Sequence, residues 1–132
     1  MTKQVLDNRE AIEKLVNSFY IKVKGDELLG PIFNNAENFN WDTHIPIMYD
    51  FWETLLLDAA KYKGNTMAKH IELNRRTPLL PEHFERWKEL FYKTLDNEFT
   101  GDAVAEAHRR VELMSGLMQF KIAESMRKGF IQ

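Results

Sequence analysis

No cysteine occurs among the 132 residues. Disulfides, thiolate catalysis, Fe–S clusters and any thiolate-held centre are therefore excluded. Glycine and proline are few, at 6 and 4, and no two glycines adjoin. There is no Gly-rich phosphate loop, no His-Glu-x-x-His and no EF-hand spacing. A basic excess is also missing: 18 Lys and Arg stand against 20 Asp and Glu, with a pI near 6.1. That leaves nothing to neutralise a phosphate backbone, so nucleic acid is not the expected partner. No apolar run approaches bilayer-spanning length, and Met1 to Asp7 has no signal-peptide pattern. The expectation is a cytoplasmic protein without membrane insertion.

Aromatic side chains are abundant by contrast, with nine Phe, four Tyr and three Trp. They can fill a core or line a cavity for a flat apolar ligand. The length suits one domain over residues 1–132. Strand alternation, internal repeats and low-complexity linkers are absent, whereas helical periodicity is strong, so the class is all-α. Asp7 and Glu10 read as a capping box. Behind it, Ile12, Leu15, Val16, Phe19, Tyr20 and Val23 form one helical face, closed by Gly25. Leu28 to Phe33 reads as a turn with a single helical turn, Phe33 inward. The next helix starts near Asp42 or Thr43, with Pro46 in its first turn and His44, Met48, Phe51 and Leu55 on one face. Pro81 opens a further helix with Phe84, Trp87, Leu90, Phe91 and Leu95 buried and His83 off that face, in solvent. The last helix follows Gly101-Asp102, with Val104, Ala107, His108, Val111, Met114, Leu117, Met118 and Ile122 as its stripe and Gly129 at its end.

The stretch on which function turns is Asn65 to Leu73, short and helical in pattern, ending in the charged pair Arg75-Arg76. His70 sits among Met67, Ile71 and Leu73 and should face inward. Such a histidine is either an ordinary core or half-exposed residue, or an axial ligand in an apolar cavity. Tyr20 allows a core tyrosine with its hydroxyl at the surface, or one aimed into a cavity. His44 is either solvated or at the entrance of an apolar face. Trp87 reads as core, with an N–H that needs a partner. Met114 and Met118 fit adaptable core as readily as a cofactor wall. Zinc ligation is not favoured, since no histidine pair has i, i+4 spacing. No nucleophile stands beside a histidine and a carboxylate, so chemistry requires a bound cofactor.

Six segments in order carry a resemblance: Ser18 to Val23, Leu29 to Asn35, Trp41 to His44, Phe51 to Leu57, Met67 to His70 and Phe84 to Trp87. Their order and spacing resemble the truncated haemoglobins, covering residues 8 to 125. The unpaired glycines resemble the third group of that family. Thr66 departs from it, standing where relatives often carry proline. The resemblance implies a two-over-two helical globin around haem b, protoporphyrin IX with iron. It implies His70 as proximal iron ligand, Tyr20 and Trp87 as distal hydrogen-bond donors, and His44 as a distal residue able to gate access. Phe19, Phe33, Met48, Phe51 and Trp52 would line the haem, with Met114 and Met118 from the last helix. Arg75 and Arg76 become candidates for the propionates.

The function implied by this resemblance is that of a haem protein that binds O2, NO and CO, and by extension peroxide or cyanide. Hydrogen-bond donors in a dry pocket hold an oxygen bearing partial negative charge and slow its release. Slow release suits redox turnover, nitric oxide dioxygenase-like or peroxidase-like, fed by an unidentified reductase, better than transport. The alternatives are an O2 or NO sensor or storage protein without turnover, and a cofactor-free helical interaction module.

Overall fold

The computed structural model describes residues 3–34, 40–57, 64, 69–70, 73–74 and 78–127. Tyr62, Met67, Ile71, Arg75, Arg76 and Gly129 lie outside the described residues, so the readings placed on them stay at the level of sequence. Five helices are bounded: α1 (Arg9–Lys24), α2 (Gly30–Asn34), α3 (Trp41–Leu57), α4 (Pro81–Glu98) and α5 (Asp102–Arg127). Lys69-His70 and Leu73-Asn74 are also helical. α1 packs on both α3 and α4, α4 packs on α5, and α3 reaches α5. One helix pair thus lies over the other, with an apolar interior between them.

α1 buries Ala11, Ile12, Leu15, Val16, Phe19, Tyr20 and Val23, the face that periodicity predicts. Its cap differs from the expected capping box. Asn8 is the N-cap, its Oδ1 accepting from the Ala11 N–H at 2.9 Å, while Asp7 accepts from the Asn8 side chain. The shift of one residue lets the first inward residue fall at Ala11.

The turn after α1 is pinned by Asp26, which accepts from the Leu28 and Leu29 N–H groups at 3.1 and 3.0 Å. Arg86 of α4 donates to the same carboxylate at 2.7 Å. Burial alone would raise the Asp26 pKa. The Arg86 bond and the two backbone donors outweigh it and hold the group below its ordinary value. The turn delivers Gly30 against the end of α1, where an added Cβ would meet the Lys24 carbonyl at 2.8 Å. Only glycine allows that approach, which sets the start of α2 and the place of Phe33.

α3 starts one or two residues earlier than expected. Asn40 Oδ1 accepts from the Asp42 N–H at 2.8 Å, making Asn40 the capping side chain. Pro46 consequently falls inside the helix rather than in its first turn. α5 shows the largest departure in its apolar stripe. Leu117 is 50% exposed, whereas Ser115 is buried. An inner face defined by Val111, Met114 and Met118 turns position 117 about 100° outward. Two strands of two residues each also form: β1 (Gln4–Val5) pairs in parallel with β2 (Phe99–Thr100). The Leu6 N–H donates to the Thr100 carbonyl at 3.0 Å, and the Leu6 side chain enters the core. No helix among the described residues is long and apolar enough to cross a membrane.

Gly30→Ala should destabilise the fold by about 1–3 kcal/mol, the range for forcing a methyl into a packed site. Urea unfolding followed by circular dichroism measures this. An unchanged midpoint would mean that α2 moves freely away from Lys24.

Candidate functional site

Between the helix pairs lies a cavity that draws on most of the chain. α1 contributes Tyr20, α2 Ile32 and Phe33, and α3 His44, Ile47, Met48, Phe51 and Trp52. Lys69, His70 and Leu73 come from the helical residues between α3 and α4. α4 adds His83, Phe84 and Trp87; α5 adds Val111, Met114, Ser115 and Met118. Of the residues expected here, Tyr20, Phe33, His44, Met48, Phe51, Trp52, His70, Trp87, Met114 and Met118 are brought around one space. Phe19 is not on the wall. It is fully buried behind it, edge-on to Tyr20, Trp87 and Phe91 at ring distances of 4.8, 4.9 and 5.0 Å. Position 19 and position 20 both belong to the inward half of α1, but about 100° apart, and Tyr20 takes the cavity side.

Sequence reasoning misses several lining residues, chiefly Lys69, Phe84 as a wall residue, His83 and Ser115. The expectation of a solvated His83 is corrected: the residue is half-buried and faces the cavity. The signal is present in its spacing, since His83 lies four residues before Trp87 and so shares its face.

Tyr20 is 4% exposed. Burial drives its hydroxyl well above the usual phenol pKa, so it stays protonated as a donor. It makes no hydrogen bond to another described residue, and no described buried polar atom is sealed away without a partner. The hydroxyl therefore opens on the cavity. The Trp87 indole N–H is likewise not bonded to a described residue. Its ring is fixed from behind, stacked on Phe91 at 4.9 Å, with Phe91 stacked in turn on Trp52 at 4.7 Å.

His44 stands 5.4 Å from Tyr20, ring to ring and nearly perpendicular. Trp41 closes the outer side, 5.5 Å from Tyr20 and 6.0 Å from His44. Its indole N–H donates to Asn34 at 3.0 Å, and the Lys24 ammonium sits over its ring. The His44 imidazole is pushed down to about 4, first by burial and then by the nearby charges of His70 and Lys69. It is neutral at pH 7. His70 is half-buried and helical and shares the cavity. The fourth histidine, His108, lies elsewhere, 2.8 Å from Asp96 and stacked on Tyr92.

Among the described residues no group of three or more His, Cys, Asp or Glu side chains is placed to hold a metal ion. The donor set instead suits a metal carried by its own flat ligand. The walls are aromatic and aliphatic, and imidazoles from α3, from α4 and from the helical residues between them line the space. One hydroxyl faces it with no described residue to bond. These are the features that a haem with one protein-derived axial bond requires.

The chain is 34% identical over 115 residues to a group 3 truncated hemoglobin of Campylobacter jejuni subsp. jejuni, covering 85% of this chain and 88% of that relative. The crystal structure of a group III truncated hemoglobin from Campylobacter jejuni superposes with a TM-score of 0.81 at 32% identity. It covers 92% of this chain and 95% of that one. No protein-family model matches the sequence.

A pH dependence follows from His44. Its folded value of about 4 lies below the ordinary 6.5, so the unfolded chain binds a proton that the folded chain refuses. The stability linked to this residue is complete above about pH 6.5 and declines as pH falls toward 4. Urea midpoints of the cofactor-free chain should therefore drop between pH 7 and pH 5, and His44→Leu should flatten that drop. Equal slopes for wild type and variant would place the His44 ring in solvent.

Proposed function

Because the chain belongs to the group III truncated haemoglobins, a family of haem globins that bind diatomic ligands, we propose that it holds haem b through His70 and retains O2 for redox turnover. Haem supplies an iron centre for gas binding and electron transfer; everything else is the work of the chain. The observation that carries the reading is the Tyr20 hydroxyl, protonated, buried and without a partner among the described residues.

His70 would hold the haem iron from the part of the wall it shares with Lys69. Tyr20 would donate a hydrogen bond to an O2 bearing partial negative charge. Trp87 offers a second donor from a ring held rigid by Phe91 and Trp52. His44 is neutral, lies beside Tyr20 and controls entry from the α3 side. The aromatic and aliphatic walls leave both donors in apolar surroundings, where a hydrogen bond to charge is strong. An O2 held this firmly is a poor cargo and a good oxidant. Oxidation of NO to nitrate by O2 costs the site one electron per turnover, which a reductase must return. Peroxide and cyanide fit the same donors in the oxidised protein.

His70→Leu should yield protein that is largely free of haem, or one with an altered absorption spectrum that added imidazole restores. A normal Soret band and haem content in this variant would move the axial bond to another histidine of the cavity. A wild-type chain without any Soret band after reconstitution would remove the haem reading altogether.

Tyr20→Phe keeps the ring and deletes one hydroxyl. A hydrogen bond to a charged acceptor contributes roughly 1.5–3 kcal/mol, and each 1.4 kcal/mol is about tenfold. O2 dissociation measured by stopped flow should accelerate by about one to two orders of magnitude, and CO dissociation far less. If O2 leaves the variant no faster, Trp87 is the donor, which Trp87→Phe then shows.

A further inference from the structure

We propose that His83 is a carboxylate-binding residue of the cavity, its Nε2–H donating to one propionate of the haem. The inference rests on the haem reading. It starts from the orientation of the ring. The Leu80 backbone N–H lies 2.9 Å from His83 Nδ1. A backbone amide can only donate, so Nδ1 is the acceptor and the ring hydrogen sits on Nε2. The same bond makes His83 do what glutamate does at the third position of a capping box, reaching back to the residue before the helix. The ring is thereby fixed rather than free to turn.

Nε2–H points away from that cap. It donates to no other described residue, and no described buried polar atom is sealed without a partner. His83 is half-buried and forms part of the cavity wall. The donor is therefore left open on a residue that lines the cavity, one helical turn before Trp87 and next to the α4 start, where Leu80 and Pro81 are exposed.

The polar groups of the cavity can be assigned by what a haem offers. Its interior is apolar apart from the iron, which calls for an axial nitrogen and donors near the bound gas. Tyr20 and His44 stand together, and Trp87 is backed by the same Phe19 ring that contacts Tyr20. His70 is the axial candidate. Of the strongly polar groups among the described lining residues this leaves His83, a fixed donor, and Lys69, an exposed cation at the wall. Haem has two carboxylates, which call for a donor or a cation, and His83 is the one of these two whose ring is fixed by a hydrogen bond. Arg75 and Arg76, the candidates from sequence, are outside the described residues.

The test uses the holoprotein and His83→Glu. Glutamate keeps an acceptor for the Leu80 N–H and so preserves the cap, but replaces the donor by a negative charge. Haemin transfer to excess apomyoglobin gives the rate of haem loss. With protohaem the variant should lose haem about tenfold faster or more. With haem dimethyl ester, which has no free carboxylate, wild type and variant should release at the same rate. His83→Leu, measured in the same pair of haems, covers the case in which His83→Glu fails to fold. It should show a smaller acceleration with protohaem and none with the ester. Equal rates for wild type and variants with protohaem, or an acceleration of the same size with both haems, would overturn the assignment and leave His83 as a helix cap. A wild-type chain that takes up no haem overturns the functional reading itself, a result that no comparison of variants can mimic.

Discussion

A hydroxyl in an apolar cavity, with no described residue to bond, is the constraint on which this structure depends. Apolar walls offer a hydroxyl no partner of their own, which costs free energy, and a chain with freedom to repack would turn Tyr20 outward. It cannot, because Tyr20 follows Phe19 on α1, and Phe19 is locked between Trp87 and Phe91. The apolar packing of α1 against α3 and α4 thus maintains a polar donor where packing alone would not place one. The apolar contacts around Phe19 bear that cost, and the donor stays turned toward the space between the helix pairs.

Other parts of the molecule serve the same placement. Asp26 and Arg86 join the turn after α1 to the outer side of α4, so that the helix bearing Tyr20 and the helix bearing Trp87 keep one spacing. Trp41, bonded to Asn34 and covered by Lys24, holds the far side of His44. Arg9 does less for the site. It reaches Glu13, Asp50 and Glu53 from a half-exposed position, where ion pairs contribute little. The aromatic residues, not the surface charges, decide the geometry.

Much of this is legible in the residues. The inward faces of α1 and α4, the start of α4 at Pro81 and the closure at Gly25 follow from periodicity and turn chemistry. The architecture around a cavity comes from six short segments read together. What escapes is local competition. Asn8 over Asp7, and Asn40 over Asp42 and Thr43, are contests between equivalent capping side chains that only the neighbouring helix decides. Leu117 reads as inward because it is apolar, yet the angle set by Met114 and Met118 excludes it. Phe19 and Tyr20 are adjacent, and periodicity does not say which of two adjacent aromatics faces a void. His83 escapes because a polar residue near a helix start is ordinarily solvated. The short strands are invisible, since two residues have no period.

Those strands bear on the order of folding. Gln4 meets Phe99 and Val5 meets Thr100, a contact that closes most of the chain into one loop. Such a closure gains nothing until the helices between are largely in place, because its entropy must be met by very few bonds. The N-terminal residues therefore dock late, sealing Leu6 into the core after α1 has found α4. By the same reasoning they are the first part to let go. Only two residue pairs join that seam at the α4–α5 junction, so its opening breaks few backbone bonds and is separable from the loosening of the cavity itself.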